Sequence, residues 1–454
     1  MTQDPAFALA DHVVATGFAD LPASAIDATK RDILDTFGCM LGGTASPGID
    51  DLCAVLGHWG GREESRVLLR GTRLPAPQAA LLNAAMGHAL DFDDTLDHGG
   101  SIHPGVSVLG ATLAAADMLG GVSGRDFVLA VTLGMDVSCR IAIASTLDRG
   151  WHRTAAIGIF GAAAAVGKMM GLNAEQMRHA LGIAYSHAAG NRQCIVDAAL
   201  TKRMQAGQAA GDAILSAVLA QRGFTGAHNV FNGKFGFFEL YQPNGADPSL
   251  LLKDLGTAFR GEEVSFKPYP CGRPLHAAID AALALRGQLG INGADDIESL
   301  TIAADPAGYA DQFEGGAHKR HPTQVVEAQF AVPFLVAAAM AYGQVGIAQV
   351  ANCDDPTVRA LSARIAGVSV ADKPKGWVSI AATVRSGRTA TVIATDPIGS
   401  PHRPLSAELC ETKFRDCAAN ALRAPAEADI AAAIRDIGRL EQLSDATAWM
   451  RPFA

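Results

Sequence analysis

Aromatic side chains are scarce in this chain, 6% of 454 residues, and charged ones make up only 18%. With 49% apolar residues, that balance excludes a disordered polymer and describes a globular protein long enough for two domains. No Lys/Arg-dense stretch offsets the net charge of −9, which excludes a nucleic-acid footprint. An anionic ligand would have to be held by local basic side chains against the field of the whole molecule. The eight cysteines contain no C-x-x-C pair, so neither a disulfide framework nor an iron–sulfur spacing is present, and they read as the reduced thiols of a cytoplasmic protein. The opening Met-Thr-Gln-Asp-Pro lacks the basic and apolar segments of a signal peptide. The longest uncharged stretch, Phe330 to Ala351, is broken by Pro333, Gln344 and Gln349, and reads as buried helix with no membrane span.

What is present changes character once. Up to about residue 262 the pattern is helical and rich in Ala and Gly. Ser24 is placed to cap a helix over 25–40, Pro77 to open one over 78–90, and Ser123 and Asn173 to begin capping boxes with Asp126 and Gln176. Small residues at 206, 207, 209, 210, 211 and 213 predict a helix that its neighbours approach closely. From residue 263 strand signals appear at 297–304, 365–371, 378–384 and 389–395, the last two joined by Arg385-Ser386-Gly387-Arg388 as a hairpin. The tail beyond Ser406 returns to helix. The expected fold is mainly α with a smaller α+β domain: an all-helical domain of residues 1–262 and 405–454, and an inserted α+β domain of residues 263–404.

Reactive groups concentrate between His88 and Pro104, where four carboxylates, three imidazoles and two hydroxyls follow an apolar, Ala-rich run. Three kinds of chemistry compete for them. Asp93-Asp94-Thr95-Leu96-Asp97 fits the D-D-x-x-D pattern with which isoprenyl diphosphate synthases hold Mg²⁺, but no second acidic motif accompanies it, and Asp354-Asp355 before Pro356 reads as a turn. A transition-metal site from His88, Asp91, His98 and His103 has no H-E-x-x-H or comparable spacing behind it, so no metal is assigned. Metal-free acid–base catalysis is the third. Asp91 and Thr95, four apart, would share a face if helix continues that far, with His103 on a loop able to reach over them.

The third reading agrees with a resemblance that runs along the chain in order, over about residues 5 to 430. His88-Ala-Leu-Asp-Phe-Asp-Asp-Thr95, His103-Pro-Gly, Gly150-Trp-His-Arg-Thr-Ala155 and Gly158-Ile-Phe-Gly-Ala-Ala163 carry its first part. Ala180-Leu-Gly-Ile-Ala-Tyr-Ser186, Thr201-Lys-Arg-Met-Gln-Ala-Gly207, Gly223-Phe-Thr-Gly226, Phe266-Lys-Pro-Tyr-Pro-Cys271, Asp396-Pro-Ile-Gly399 and Lys413-Phe-Arg415 continue it. The chain resembles the MmgE/PrpD family, which includes 2-methylcitrate dehydratase, cis-aconitate decarboxylase and iminodisuccinate epimerase. The resemblance implies a large helical domain, a smaller α+β domain inserted before the last helices, a homodimer, no cofactor, and an active site between the domains. It carries catalytic roles to Asp91, Thr95, His103, His152, Lys202 and Lys267.

Those residue types suit such chemistry. Lysines and imidazoles can hold a small polycarboxylate and stabilise charge that develops beside a carboxylate. A histidine near neutrality can take or give the proton. Arg273, His276 and His98 are candidate substrate contacts. Each residue also has an ordinary reading: Asp91 as an ion-pair partner, His152 as a core histidine, Lys202 and Lys267 as solvated lysines, His276 as a helix cap. Two departures from the family pattern stand out. The segment between Thr95 and His103 carries His98 on a Gly-containing loop, and Phe334 stands where several relatives have Tyr. The expected function is a cofactor-free lyase or isomerase acting beside a carboxylate of a small di- or tricarboxylic acid, with dehydration of a 2-methylcitrate-like hydroxy acid first, and decarboxylation or epimerisation as alternatives. A non-catalytic helical acid-binding protein is the alternative from another class.

Overall fold

The computed structural model describes residues 3–394 and 396–454. The first region is built from α1 (Pro5–Ala15), α2 (Ala23–Gly43), α3 (Ile49–Trp59), α4 (Ala76–Gly87), α5 (Pro104–Leu119), α6 (Gly124–Ile143), α7 (Arg153–Met169), α8 (Ala174–Ser186) and α9 (Thr201–Gln221). Ser123 accepts from the Asp126 amide, and Asn173 with Gln176 forms a reciprocal capping box, so α6 and α8 begin where their sequences say. The boundaries of two helices differ from expectation. Helix α2 starts two residues earlier, after Pro22 rather than Ser24, and ends three later, while α4 starts two residues earlier and stops at Gly87 instead of running on to residue 90. The region is also not wholly helical. Strands β1 (Ser65–Val67) and β2 (Thr72–Leu74) pair antiparallel, too short for a period-2 pattern to register, and Gly71 turns between them at φ 62°.

The second region carries α10 (His276–Leu289), β3 (Ile297–Ala304), α11 (Val332–Tyr342), α12 (Pro356–Arg364), β4 (Ala366–Ser369), β5 (Val378–Val384) and β6 (Thr389–Ala394). Its sheet runs β4-β3-β5-β6, with β3 parallel to β4 and antiparallel to β5, and β5–β6 the expected hairpin. Thr395, placed at the end of that hairpin by sequence, lies outside the described residues. The uncharged stretch at 330–351 is divided: α11 ends at Gly343, which adopts φ 71°, and no helix among the described residues is long and apolar enough to cross a membrane.

Helices α13 (Ala407–Ala419) and α14 (Glu427–Gly438) close the chain. Phe414 of α13 packs onto α2, where a Cβ at Gly38 would sit 3.0 Å from its ring. Apolar burial divides into two main cores. One draws residues from Ala6 to Phe266 together with Leu405 to Phe453; the other runs from Tyr269 to Ala394.

Helix α9 lies against α4 at backbone contact. A Cβ on Gly207 would fall 2.3 Å from the Leu81 carbonyl, and one on Gly211 2.7 Å from that of Pro77. The two helices are therefore antiparallel, and the start of α9 meets the end of α4. That close approach builds the site.

Candidate active site

The site forms where helices end and begin. His88 is the C-cap of α4; His103 and His152 are the N-caps of α5 and α7; Lys202 sits in the first turn of α9. Three helix N-termini thus gather at one site, and their dipoles favour an anion there; at α5 the Gly105 N–H is already taken by the Asp94 carboxylate. Between α4 and α5 the chain runs as irregular backbone. Asp91 adopts φ 50°, a left-handed conformation that a non-glycine residue holds only when its surroundings demand it.

Asp91 and Thr95 consequently do not share a helical face; the helix has already stopped at Gly87. Backbone pairing replaces it. Thr95 and Ser265 exchange N–H···O bonds of 2.9 and 2.7 Å, drawing the segment that leads into the second region alongside. Lys267 then reaches Asp91, with Nζ 2.6 Å from Oδ1 and 2.8 Å from the carbonyl oxygen. Lys202 approaches the other carboxylate oxygen at 3.4 Å. Burial would raise the Asp91 carboxyl, but the Lys202 and Lys267 ammoniums outweigh it and hold it well below the usual carboxylate range. Burial pulls Lys202 down, and Asp91 and Asp93 oppose that pull.

The imidazole tautomers follow from their partners. His103 Nδ1 lies 2.6 Å from the Asp94 carbonyl oxygen, which can only accept, so Nδ1 carries the proton and Nε2 keeps its lone pair. That Nε2 sits 3.8 Å from Asp91 Oδ1. His88 Nδ1 donates to Asp93 Oδ2 at 2.7 Å, and His88 Nε2 accepts from Lys202 Nζ at 2.8 Å. His152 Nδ1 donates at 2.9 Å to Gln205 Oε1, an oxygen also held by the Asn191 amide at 3.1 Å. Burial drives all three rings well below the usual histidine range, so each is neutral near pH 7.

Asp91, His103, His152, Lys202 and Lys267 therefore meet in one buried cluster, and Thr95 lies beside them with a buried hydroxyl that has no partner. His276 is fully buried, with Nε2 3.2 Å from the Cys271 carbonyl and Nδ1 unpartnered. Arg273 is differently engaged. Its guanidinium pairs with Asp97 at 3.0 Å and donates to the Ile398 carbonyl at 2.8 Å, so a carboxylate of this chain holds it. His98 stands apart: it is half exposed and pairs with Glu263 at 2.7 Å, because the Gly99-Gly100 turn carries it outward. Phe334 packs in the second core, and the ring over Lys202, 6.0 Å away, is that of Phe330.

Two contributors went unrecognised in the sequence. The sequence marks His88 only as a candidate metal ligand, although just four residues separate it from Asp93. Gln205 lies one helical turn beyond Lys202 on α9, within the matched segment Thr201–Gly207, and that i, i+3 spacing is the signal for its role.

One group among the described residues offers metal-ligand atoms close together, His88, Asp93 and His103, all within 4.8 Å. The donor chemistry fits a metal poorly: both Nδ1 atoms bear protons directed at Asp93 and Asp94, and a ligand needs the lone pair.

Comparison with known proteins gives the family. The MmgE/PrpD N-terminal domain model matches residues 8–248, and the C-terminal domain model matches residues 269–437. The chain belongs to the MmgE/PrpD family. Among its relatives is the cis-aconitate decarboxylase of Homo sapiens, 28% identical over 97% of this chain and 92% of that protein. That of Mus musculus is 27% identical over 93% and 88%, and that of Aspergillus terreus 26% identical over 74% and 71%. For this MmgE/PrpD chain the likeness supports a lyase. Asp91, His103, His152 and Lys202 fall within the first matched segment, and Lys267 lies just before the second.

Proposed function

We propose that this protein is a cofactor-free lyase acting at a carbon beside a carboxylate of a small tricarboxylic acid, with decarboxylation of a cis-aconitate-like substrate as its reaction. The observation that carries the reading is a buried carboxylate, Asp91, held between two lysine ammoniums and faced by the His103 Nε2, with His88 and His152 beside it and the Nδ1 protons of all three rings committed elsewhere. Loss of CO₂ from an unsaturated tricarboxylate leaves an electron pair that must be protonated at carbon. Lys202 is the charged donor that can deliver this proton, and the free Nε2 of His103 is the base that takes up the solvent proton replacing it. Lys267 and the three helix N-termini would hold substrate carboxylates. The likeness to cis-aconitate decarboxylases supports preferring decarboxylation to dehydration of a 2-methylcitrate-like acid.

Dehydration is the second reading, and the buried, unpartnered Thr95 hydroxyl favours it, because such a group can donate to a departing oxygen. The same proposal takes residues 1–262 with 405–454 as one domain and 263–404 as the other, supported by the two apolar cores, and retains the homodimer.

Proton NMR in D₂O of the EDTA-treated protein with cis-aconitate, citrate, 2-methylcitrate and iminodisuccinate tests the proposal. Conversion of cis-aconitate with deuterium incorporated next to a remaining carboxylate is expected. Conversion of 2-methylcitrate alone would transfer the assignment to the dehydratase reading, and four unchanged acids would overturn both.

A further inference from the structure

His88 belongs to none of the roles above, yet it occupies the middle of the cluster. It is 1% exposed, and every polar atom of its ring is engaged. Its Nδ1–H is fixed by Asp93, so its Nε2 is a lone pair, and two groups converge on that one nitrogen: Lys202 Nζ at 2.8 Å and His152 Nε2 at 3.3 Å. His152 Nδ1–H is in turn fixed by Gln205, which leaves its own Nε2 a lone pair as well. The two rings lie nearly parallel, 22° apart with centroids 5.3 Å from one another. Two nitrogen lone pairs facing each other at that separation repel. The Lys202 ammonium offsets this by donating an N–H to the lone pair on His88.

We propose that His88 is a positioning residue for the reaction: its Nε2 lone pair, aimed by Asp93, accepts from Lys202 and so holds that ammonium in place and in its charged form. Asp93 sets this by choosing the His88 tautomer, as the carboxylate partner of an active-site histidine does elsewhere. The remaining charged and titratable groups around the ring are His103, edge-on at a centroid distance of 4.9 Å, and Asp91, Lys267 and Arg203, which act on it through their fields. Removing the His88 acceptor withdraws a group that stabilises the ammonium, so Lys202 loses its proton at lower pH. The kinetic part of this inference rests on the proposed lyase reading; the tautomer part does not.

Two measurements separate them. In ¹⁵N-histidine spectra of the ligand-free protein at pH 7, His88 and His152 are both expected as neutral Nδ1–H tautomers. A His88 that is imidazolium, or that carries its proton on Nε2, overturns the inference whatever the substrate proves to be. In turnover of cis-aconitate, His88→Asn keeps an amide nitrogen facing Asp93 but removes the acceptor. It is expected to lower kcat by about 10²-fold, leave KM near the wild-type value, and move the alkaline limb of the pH profile to lower pH. His88→Gln, which returns an acceptor oxygen toward Lys202, is expected to restore part of both. An alkaline limb unmoved in His88→Asn would mean that His88 only fills space, and the inference fails.

Discussion

Lys267 donates to Asp91 twice, to the carboxylate at 2.6 Å and to the carbonyl oxygen of the same residue at 2.8 Å. One ammonium therefore fixes both the charge and the left-handed backbone of the residue at the centre of the cluster, and it arrives from 176 positions further along the chain. Lys267→Met should release both. With a buried carboxylate losing one of its two cations, unfolding free energy is expected to fall by about 3 kcal/mol. Urea denaturation measures this, and a midpoint within error of wild type would show that Lys202 alone suffices.

His103 separates chemistry from folding. His103→Asn retains an amide to face the Asp94 carbonyl and loses only the free nitrogen. Turnover should drop by about 10²–10⁴-fold with the melting temperature little changed. Parallel loss of melting temperature and activity would count against its assignment as the base.

The buried acids near the site make an opposite kind of prediction. Burial, and then the nearby Asp35 carboxylate, push the Asp32 carboxyl up to about 8 from a model-peptide value of 3.8. The folded state thus holds a proton that the unfolded chain has released, and this stabilisation is complete below pH 3.8 and lost as pH rises through 8. Asp32→Asn cannot ionise. Its melting temperature relative to wild type should improve between pH 5 and pH 8 and level off above that, and a constant difference across this range would show that Asp32 is already charged. The three buried histidines act in the other direction: their folded values are lowered, so their contribution is present above the ordinary histidine range and is lost as pH falls below it.

Gly207 tests how Lys202 is delivered. A methyl group there would meet the Leu81 carbonyl at 2.3 Å, so Gly207→Ala must push α9 away from α4. The expected cost is about 1–3 kcal/mol in stability, accompanied by a fall in kcat as the Lys202–His88 contact lengthens. Thermal denaturation and turnover, measured together, check both.

Much of this protein was legible one residue at a time. Caps at Ser123 and Asn173, the turn at Gly387 between β5 and β6, and the change from helix to strand after residue 263 are local events, set by side chains within a few positions of the backbone they satisfy. The small residues along α9 announced close helix contact in the same way. The resemblance named Asp91, His103, His152, Lys202 and Lys267, and the structure brings these into one cluster.

What only the tertiary structure decided were the relations between distant groups. No periodicity could show that α4 stops at Gly87, because its end is set by the loop's attachment to Ser265 and Lys267 far along the chain. Nor could it show that Arg273 would be taken by Asp97, that His98 would turn outward, or that His88 would stand between a lysine and a second imidazole. Composition and local pattern determined which elements form and which reactive side chains the protein owns. Tautomers, charge states and free lone pairs were decided by packing, because each depends on which acceptor a buried N–H meets once water is excluded.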